Sequence, residues 1–285
     1  MDTPAEASEA DPSEPTPTSS RRSFLRVAGA GVAGTLGVGV VAGSAAGAVR
    51  YHDIESGRRR GDGATVATLS SATSLELLWR AKTDRKVMAL TFDDGPGEEH
   101  TAGLLDVLHA AKVRATFMVV GRNAARLPDL VRRQHAEGHE IANHTWDHPD
   151  LSMHEYAFCK RELERTDDLI HQLTGSTPTL IRPPFGRING NLLQYAAQTG
   201  RRIVLWDQRL LEEQFDAAGV ATDIVDHLRP GTVVLAHDAG LARRRIGMAA
   251  IPAIIAGARK LGYEFLTTSE LFALDETSRP PGHHA

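Results

Sequence analysis

The chain reads as an α/β protein with parallel strands in a single barrel-like domain, and three observations predict this. From Lys86 onward, seven short apolar runs alternate with longer stretches of helical periodicity. The rhythm is regular through roughly 190 residues, a length that suits one domain. The acidic, histidine and arginine residues cluster just after the apolar runs, where the loops of a parallel α/β fold converge. A composition of 41% hydrophobic and 24% charged residues in 285 leaves room for one large core.

The predicted strands, in order, are Val87–Phe92, Ala115–Val119, His139–Asn143, Thr179–Arg182, Arg202–Trp206, Thr232–Leu235 and Glu264–Thr267. Each is short, apolar and bounded by polar or turn-forming residues, as buried parallel strands are. Between them Leu104, Leu105, Val107 and Leu108, then Leu127, Leu130 and Val131, recur at helical spacing. No internal repeat is visible. The strand ends deliver Asp93 and Asp94, then His144 and His148, Arg182 to Gly186, Asp207, and finally His237 with Asp238.

What precedes the domain has another character. Residues 1–20 hold four prolines and five acidic side chains with no basic or aromatic residue, a composition that cannot offset ordering entropy, so they read as a disordered tail. Residues 21–49 open on Arg21-Arg22 and continue, from Val27 to Val49, as an uncharged Gly/Ala/Val stretch. This resembles a twin-arginine export signal with Ala46-Gly47-Ala48 as a cleavage site; the alternative is an uncleaved membrane anchor through 27–49. The export machinery is then a partner, and the domain is extracellular or in the cell envelope. Gly29-Ala30-Gly31-Val32-Ala33-Gly34 matches a dinucleotide fingerprint formally, but no strand precedes it and no amphipathic helix follows. Residues 50–85, with Arg58-Arg59-Arg60, read as a solvated linker and domain entry; 86–274 is the catalytic domain and 275–285 a flexible tail.

Charge and cysteine content exclude several classes. With 32 basic against 36 acidic residues, nothing favours nucleic acid or an anionic membrane as a partner. The single cysteine, Cys159, rules out an intramolecular disulfide and any zinc site that needs two thiolates. Thirteen histidines leave imidazole and carboxylate as the available metal donors.

His144 and His148 are four residues apart, a spacing that places both rings on one side of a helical turn or tight loop. One carboxylate from the Asp93-Asp94 pair completes a two-histidine, one-carboxylate set for a divalent cation with open positions. The other carboxylate is then free to take a proton from a cation-activated water. His237 is placed to protonate a leaving group, and Arg182 to fix the base.

Four segments, Thr91-Phe92-Asp93-Asp94-Gly95, His144-Thr145-Trp146-Asp147-His148, Arg182-Pro183-Pro184-Phe185-Gly186 and Leu235-Ala236-His237-Asp238, resemble in order the motifs of the polysaccharide deacetylases with the NodB homology domain, carbohydrate esterase family 4. Ala115-Thr116-Phe117, Gly138-His139-Glu140-Ile141 and Gly262-Tyr263-Glu264-Phe265 are similar to the family's connecting text. The resemblance implies a distorted (β/α)7 barrel and metal-dependent removal of N-acetyl groups from N-acetylglucosamine-type polysaccharide, peptidoglycan or a chitin-like glycan. It implies Asp93 as base, Asp94, His144 and His148 as ligands to zinc, or to cobalt or nickel, His237 as acid and Arg182 as the arginine that holds the base. It further implies the backbone N–H of Phe185 as an oxyanion donor and Trp206 with Leu235 as the acetyl pocket. One motif departs: where the family commonly has Asp-Trp, this chain has Glu212-Glu213, so either Glu212 or Asp207 is the expected carboxylate partner of His237. The alternatives are an O-acetyl esterase or small-amide hydrolase of the same chemistry, and a non-catalytic glycan-binding homologue.

Overall fold

The computed structural model describes residues 64–70 and 73–276. The tail, the twin-arginine segment with its membrane-anchor reading, the Arg58-Arg59-Arg60 run and residues 277–285 lie outside the described residues. No helix among the described residues is long and apolar enough to cross a membrane.

In chain order the elements are β1 (Ala64–Ser70), β2 (Thr73–Leu78), β3 (Val87–Asp93), α1 (Thr101–Ala111), β4 (Thr116–Val119), α2 (Gly121–Arg126), α3 (Pro128–Ala136), β5 (Glu140–Asn143), α4 (Tyr156–Thr174), β6 (Leu180–Ile181), α5 (Gly190–Thr199), β7 (Arg202–Val204), β8 (Gln208–Arg209), α6 (Ala217–Asp226), β9 (Thr232–His237), α7 (Arg244–Lys260), β10 (Glu264–Phe265) and α8 (Thr268–Glu276). Local chemistry marks the ends. Pro128 opens α3, where its missing N–H costs nothing. Asn189 and Asp216 cap α5 and α6 through their side-chain oxygens. Gly175 and Gly200 close α4 and α5 in left-handed conformation.

The strands form one curled sheet in the order β1-β2-β7-β6-β5-β4-β3-β9-β8, with β10 paired to the start of β3. The seven expected strands are β3, β4, β5, β6, β7, β9 and β10, and every pairing among them is parallel. Two features differ from the sequence reading. Part of the expected linker, Ala64–Leu78, is the antiparallel hairpin β1–β2, and β2 pairs in parallel with β7. Leu205 N–H donates to Leu78 O and Ala81 N–H to Gly231 O, so the segment after β2 stitches β7 to the approach of β9. The hairpin's polar, alternating text lacks the continuous apolar run that signals a strand buried on both faces. Gln208–Arg209 adds a short strand along β9 that its polar side chains conceal.

Alternation along the strands sorts residues between two cores. Met88, Leu90 and Phe92 of β3 and Val234 and Ala236 of β9 pack outward against α1, α6 and α7. Val87, Ala89, Met118, Ala142, Leu180, Val204 and Val233 point inward, where Leu271 and Phe272 of α8 join them. Continuing the inward parity by steps of two reaches Asp93, His144, Arg182, Trp206, Leu235 and His237. The same pleat that builds the inner core thus carries the polar residues up to the carboxyl edge.

Candidate active site

Asp93 and His237 are paired neighbours at the ends of β3 and β9. Asn143 at the end of β5 pairs with Ile181, which sets His144 beside Arg182. Of the five non-glycine residues with positive φ among the described residues, four (Asp94, Thr145, His148 and Phe185) lie on this rim; the fifth, Lys112, caps α1. Backbone strain is therefore concentrated where the polar residues meet.

Arg182 is fully buried and every contact holds it in place. Its Nη1 donates to Asp93 Oδ1 at 2.6 Å and to Thr91 Oγ1 at 2.7 Å, Nη2 to Leu205 O at 3.0 Å and Nε to Val204 O at 3.3 Å. Burial pushes the guanidinium down from its ordinary pKa, and the Asp93 carboxylate opposes that shift. Asp93 is left with Oδ2 facing His144 Nε2 at 3.6 Å.

Asp94, His144 and His148 converge. Asp94 Oδ1 lies 3.2 Å from His148 Nε2 and 3.6 Å from His144 Nε2, and one donor atom from each residue fits within 4.8 Å of the others. Donors about 2.0–2.2 Å from a tetrahedral cation are separated by roughly this much. His144 Nδ1 donates to Arg182 O at 2.7 Å, a bond that orients the ring with Nε2 toward Asp94. The electrostatics fit as well. Burial opposes ionisation of Asp94, yet a hydrogen bond from His144 and the charges of His237 and His148 hold its carboxyl well below the usual range. Burial lowers His148 to about 4 with help from His144, so its imidazole is neutral. Burial pushes His144 down too, but Asp93 and Asp94 outweigh it and leave it raised. Two carboxylates drawing a proton onto His144 mark a locus of negative potential that favours positive charge.

His237 Nε2 stands 4.0 Å from Asp94 Oδ2. Burial, reinforced by Arg244, pushes His237 down to about 3. Neither expected partner reaches it. Asp207 accepts from Val233 N–H at 2.8 Å, Arg229 Nη2 at 3.2 Å and Thr232 Oγ1 at 3.3 Å, level with the start of β9. That is four residues, about 13 Å, below His237 along the strand, so Asp207 belongs to the barrel wall and not to the rim. Glu212 turns the other way, onto Arg244 Nη1 at 2.5 Å, against Gly247 at the start of α7. The departure from the family pattern has thus recruited an arginine, and the carboxylate nearest His237 is Asp94.

Trp206 and Leu235 are buried in the inner core just beneath the rim, and the Arg182 guanidinium lies 5.6 Å from the Trp206 ring. Phe185, in a short turn at Pro184–Gly186, is 49% exposed and sets its ring edge-on to His148 at 4.9 Å.

The comparisons bear on this arrangement. The family profile described as polysaccharide deacetylase matches residues 80–204. A peptidoglycan-N-acetylglucosamine deacetylase of Bacillus cereus is 35% identical over 202 residues, which cover 68% of this chain and 91% of that protein. The chain belongs to the polysaccharide deacetylases of carbohydrate esterase family 4. Peptidoglycan-N-acetylglucosamine deacetylase PgdA of Listeria monocytogenes is 33% identical over 205 residues, and the match spans 42% of its length. Among solved structures, the Bc1960 peptidoglycan N-acetylglucosamine deacetylase superposes with a TM-score of 0.67 at 31% identity, covering 69% of this chain and 92% of that one. The curled parallel sheet is accordingly the distorted (β/α)7 barrel of these deacetylases, with the β1–β2 hairpin and β8 added to the expected seven strands.

Several residues that shape the candidate site escaped the sequence reading. Thr91 shares Arg182 with Asp93. Asn123 donates to the Asp94 carbonyl at 2.8 Å, and Thr101 joins the Gly97 N–H to the buried Asp238 carboxyl. Glu162 and Asp167 sit on the buried, mostly apolar stripe of α4, Glu162 against the histidine loop and Asp167 on Asn143 at the end of β5. A charge on a buried stripe is the signal that would have found them.

Proposed function

We propose that this deacetylase hydrolyses the N-acetyl groups of N-acetylglucosamine in peptidoglycan, outside the cytoplasm, with a divalent cation held by Asp94, His144 and His148. The observation that carries the reading is the facing pair of constellations on one rim: a three-donor cation site and, 3.6 Å across from His144, a carboxylate fixed by a buried arginine. The substrate follows from the activity for which the relatives are named, and export from the Arg21-Arg22 segment. When bound, the cation, most simply zinc, supplies Lewis acidity toward the acetyl carbonyl and lowers the pKa of a water.

The chain's own residues do the rest. Asp93, its Oδ1 held by Arg182, offers Oδ2 to take a proton from the attacking water as the new C–O bond forms. The Phe185 N–H is placed to donate toward the charge that develops on the carbonyl oxygen, where a bound cation would add its Lewis acidity. His237 delivers a proton to the sugar nitrogen as the C–N bond breaks, releasing acetate and a free amine. With His237 pushed to about 3, its resting imidazole is neutral, so its proton is acquired during turnover. Trp206 and Leu235 wall the space for the acetyl methyl.

The test incubates zinc-loaded protein with N-acetylglucosamine oligomers, peptidoglycan and acetylxylan and measures acetate. Release from the first two, abolished by Asp93→Asn, is expected. Protein shown to contain metal that releases no acetate from any of them overturns the reading; release from acetylxylan alone makes it an O-acetyl esterase.

A further inference from the structure

Both histidines of the cation site stand on one loop, residues 144–148, whose backbone is under strain. Thr145 and His148 have φ of 68° and 60°, a region non-glycine residues occupy only when their surroundings impose it. The imposition can be traced bond by bond. His144 N–H donates to Val119 O at 3.0 Å, Thr145 N–H to Asn143 Oδ1 at 2.8 Å and His148 N–H to Thr145 Oγ1 at 3.0 Å. Gly121 and Arg122 N–H donate to Thr145 O and Trp146 O at 2.9 and 3.0 Å. The remaining two amides, Trp146 and Asp147, both donate to one atom, Glu162 Oε2, at 3.1 and 2.9 Å.

Glu162 reaches this loop from α4. Its side chain is on the stripe that carries Cys159, Leu163 and Ile170, and the residue is 6% exposed. Hydrogen bonds from backbone amides to a carboxylate are among the stronger ones in proteins. Two of them on consecutive amides fix the orientation of the peptide between Trp146 and Asp147, one residue before His148. None of Glu162's hydrogen bonds goes to a proposed cation ligand side chain, so its influence on the site runs through the backbone.

We infer that Glu162 is a positioning residue for the cation site, holding the loop so that His148 Nε2 stays within reach of Asp94 and His144. The inference rests on the proposed ligand set. Without the carboxylate, the Trp146 and Asp147 amides lose their acceptor and the 146–147 peptide keeps only the Arg122 N–H bond to Trp146 O; His148 then relaxes from its positive φ, and its ring leaves the 3.2 Å approach to Asp94. Because a single oxygen accepts both bonds, a glutamine amide oxygen can replace it and an alanine cannot.

The experiment titrates the metal-free full chain with cobalt(II) by calorimetry and compares wild type, Glu162→Ala, Glu162→Gln and His148→Ala. Ordering groups behind metal ligands typically changes affinity by about 10–100-fold, and a loss of that size is expected for Glu162→Ala, with Glu162→Gln near wild type. Glu162→Ala that is less stable yet binds cobalt like wild type overturns the inference. Wild type that fails to bind, or His148→Ala that binds like wild type, defeats the ligand set instead. Amide hydrogen exchange on wild type keeps the test alive should Glu162→Ala fail to fold: Trp146 and Asp147 amides are expected to be protected, and exchange at the rate of an open loop overturns the inference.

Discussion

Replacing Arg182 by methionine removes a fully buried guanidinium and leaves behind the groups that surround it. Asp93 loses its 2.6 Å partner and is stranded as a buried carboxylate, while Thr91 Oγ1 and Leu205 O lose donors at 2.7 and 3.0 Å. Breaking one side of a buried ion pair costs about 3–5 kcal/mol, and each orphaned polar atom adds about 1–3 kcal/mol where water cannot reach it. These terms overlap at one site, so about 4–6 kcal/mol is the expected total, a large share of the ~5–15 kcal/mol that holds a domain folded. The informative measurement is a double-mutant cycle in urea, with chelator present so that no cation stabilises the native state. Asp93→Asn in the Arg182→Met background removes the stranded charge, so the double variant is expected to be more stable than the sum of the singles by about 2–3 kcal/mol. Additivity within about 0.5 kcal/mol would refute the argument, because it would mean that Arg182 acts through Thr91 and the backbone carbonyls and that Asp93 is indifferent to it.

Two further outcomes follow from the same site. Cation affinity is expected to weaken as pH falls from about 8 to about 5.5, because His144, raised above 6.5, must give up its Nε2 proton to ligate, whereas His148 at about 4 is already neutral; cobalt titrations at both pH values check this, and a flat profile contradicts it. Gly247→Ala would place a methyl carbon 2.2 Å from Glu212 Oε1 and 3.0 Å from Leu210 Cδ2, so it should lower the urea midpoint by the equivalent of about 1–3 kcal/mol. Glu212 is pinned by Arg244 and has little room to withdraw.

The inner-face residues were legible in the sequence because parallel strands announce themselves as apolar runs and because residues two apart share a face. Asp93 and His237 continue the inward series of Ala89 and Val233, so their place on the inner face follows from alternation, and the β3–β9 pairing makes them neighbours. What the text could not convey was side-chain direction off the strands. Asp207 and Glu212 look equivalent as acidic residues downstream of Trp206, yet the first is drawn to the Val233 amide and Arg229, and the second to a helix that begins 32 residues later. The hairpin at 64–78 was hidden for a related reason. Its pairing partner, β7, lies more than a hundred residues away, and its own residues lack the hydrophobic continuity of the central strands. Glu162 was hidden in plain view, since a glutamate in an amphipathic helix is ordinarily a surface residue.

That hairpin also shortens the leash. Were residues 27–49 to stay in the membrane, the stretch from there to the first strand would be only residues 50–63, not the whole of 50–85. Fourteen residues drawn out fully reach at most about 50 Å. A membrane-retained enzyme would therefore work on the innermost glycan it can touch, newly laid wall beside the bilayer, while one released by cleavage after Ala48 could range through the mature layers. The hairpin laid against β7 would in this way help decide which age of polymer the catalytic rim meets.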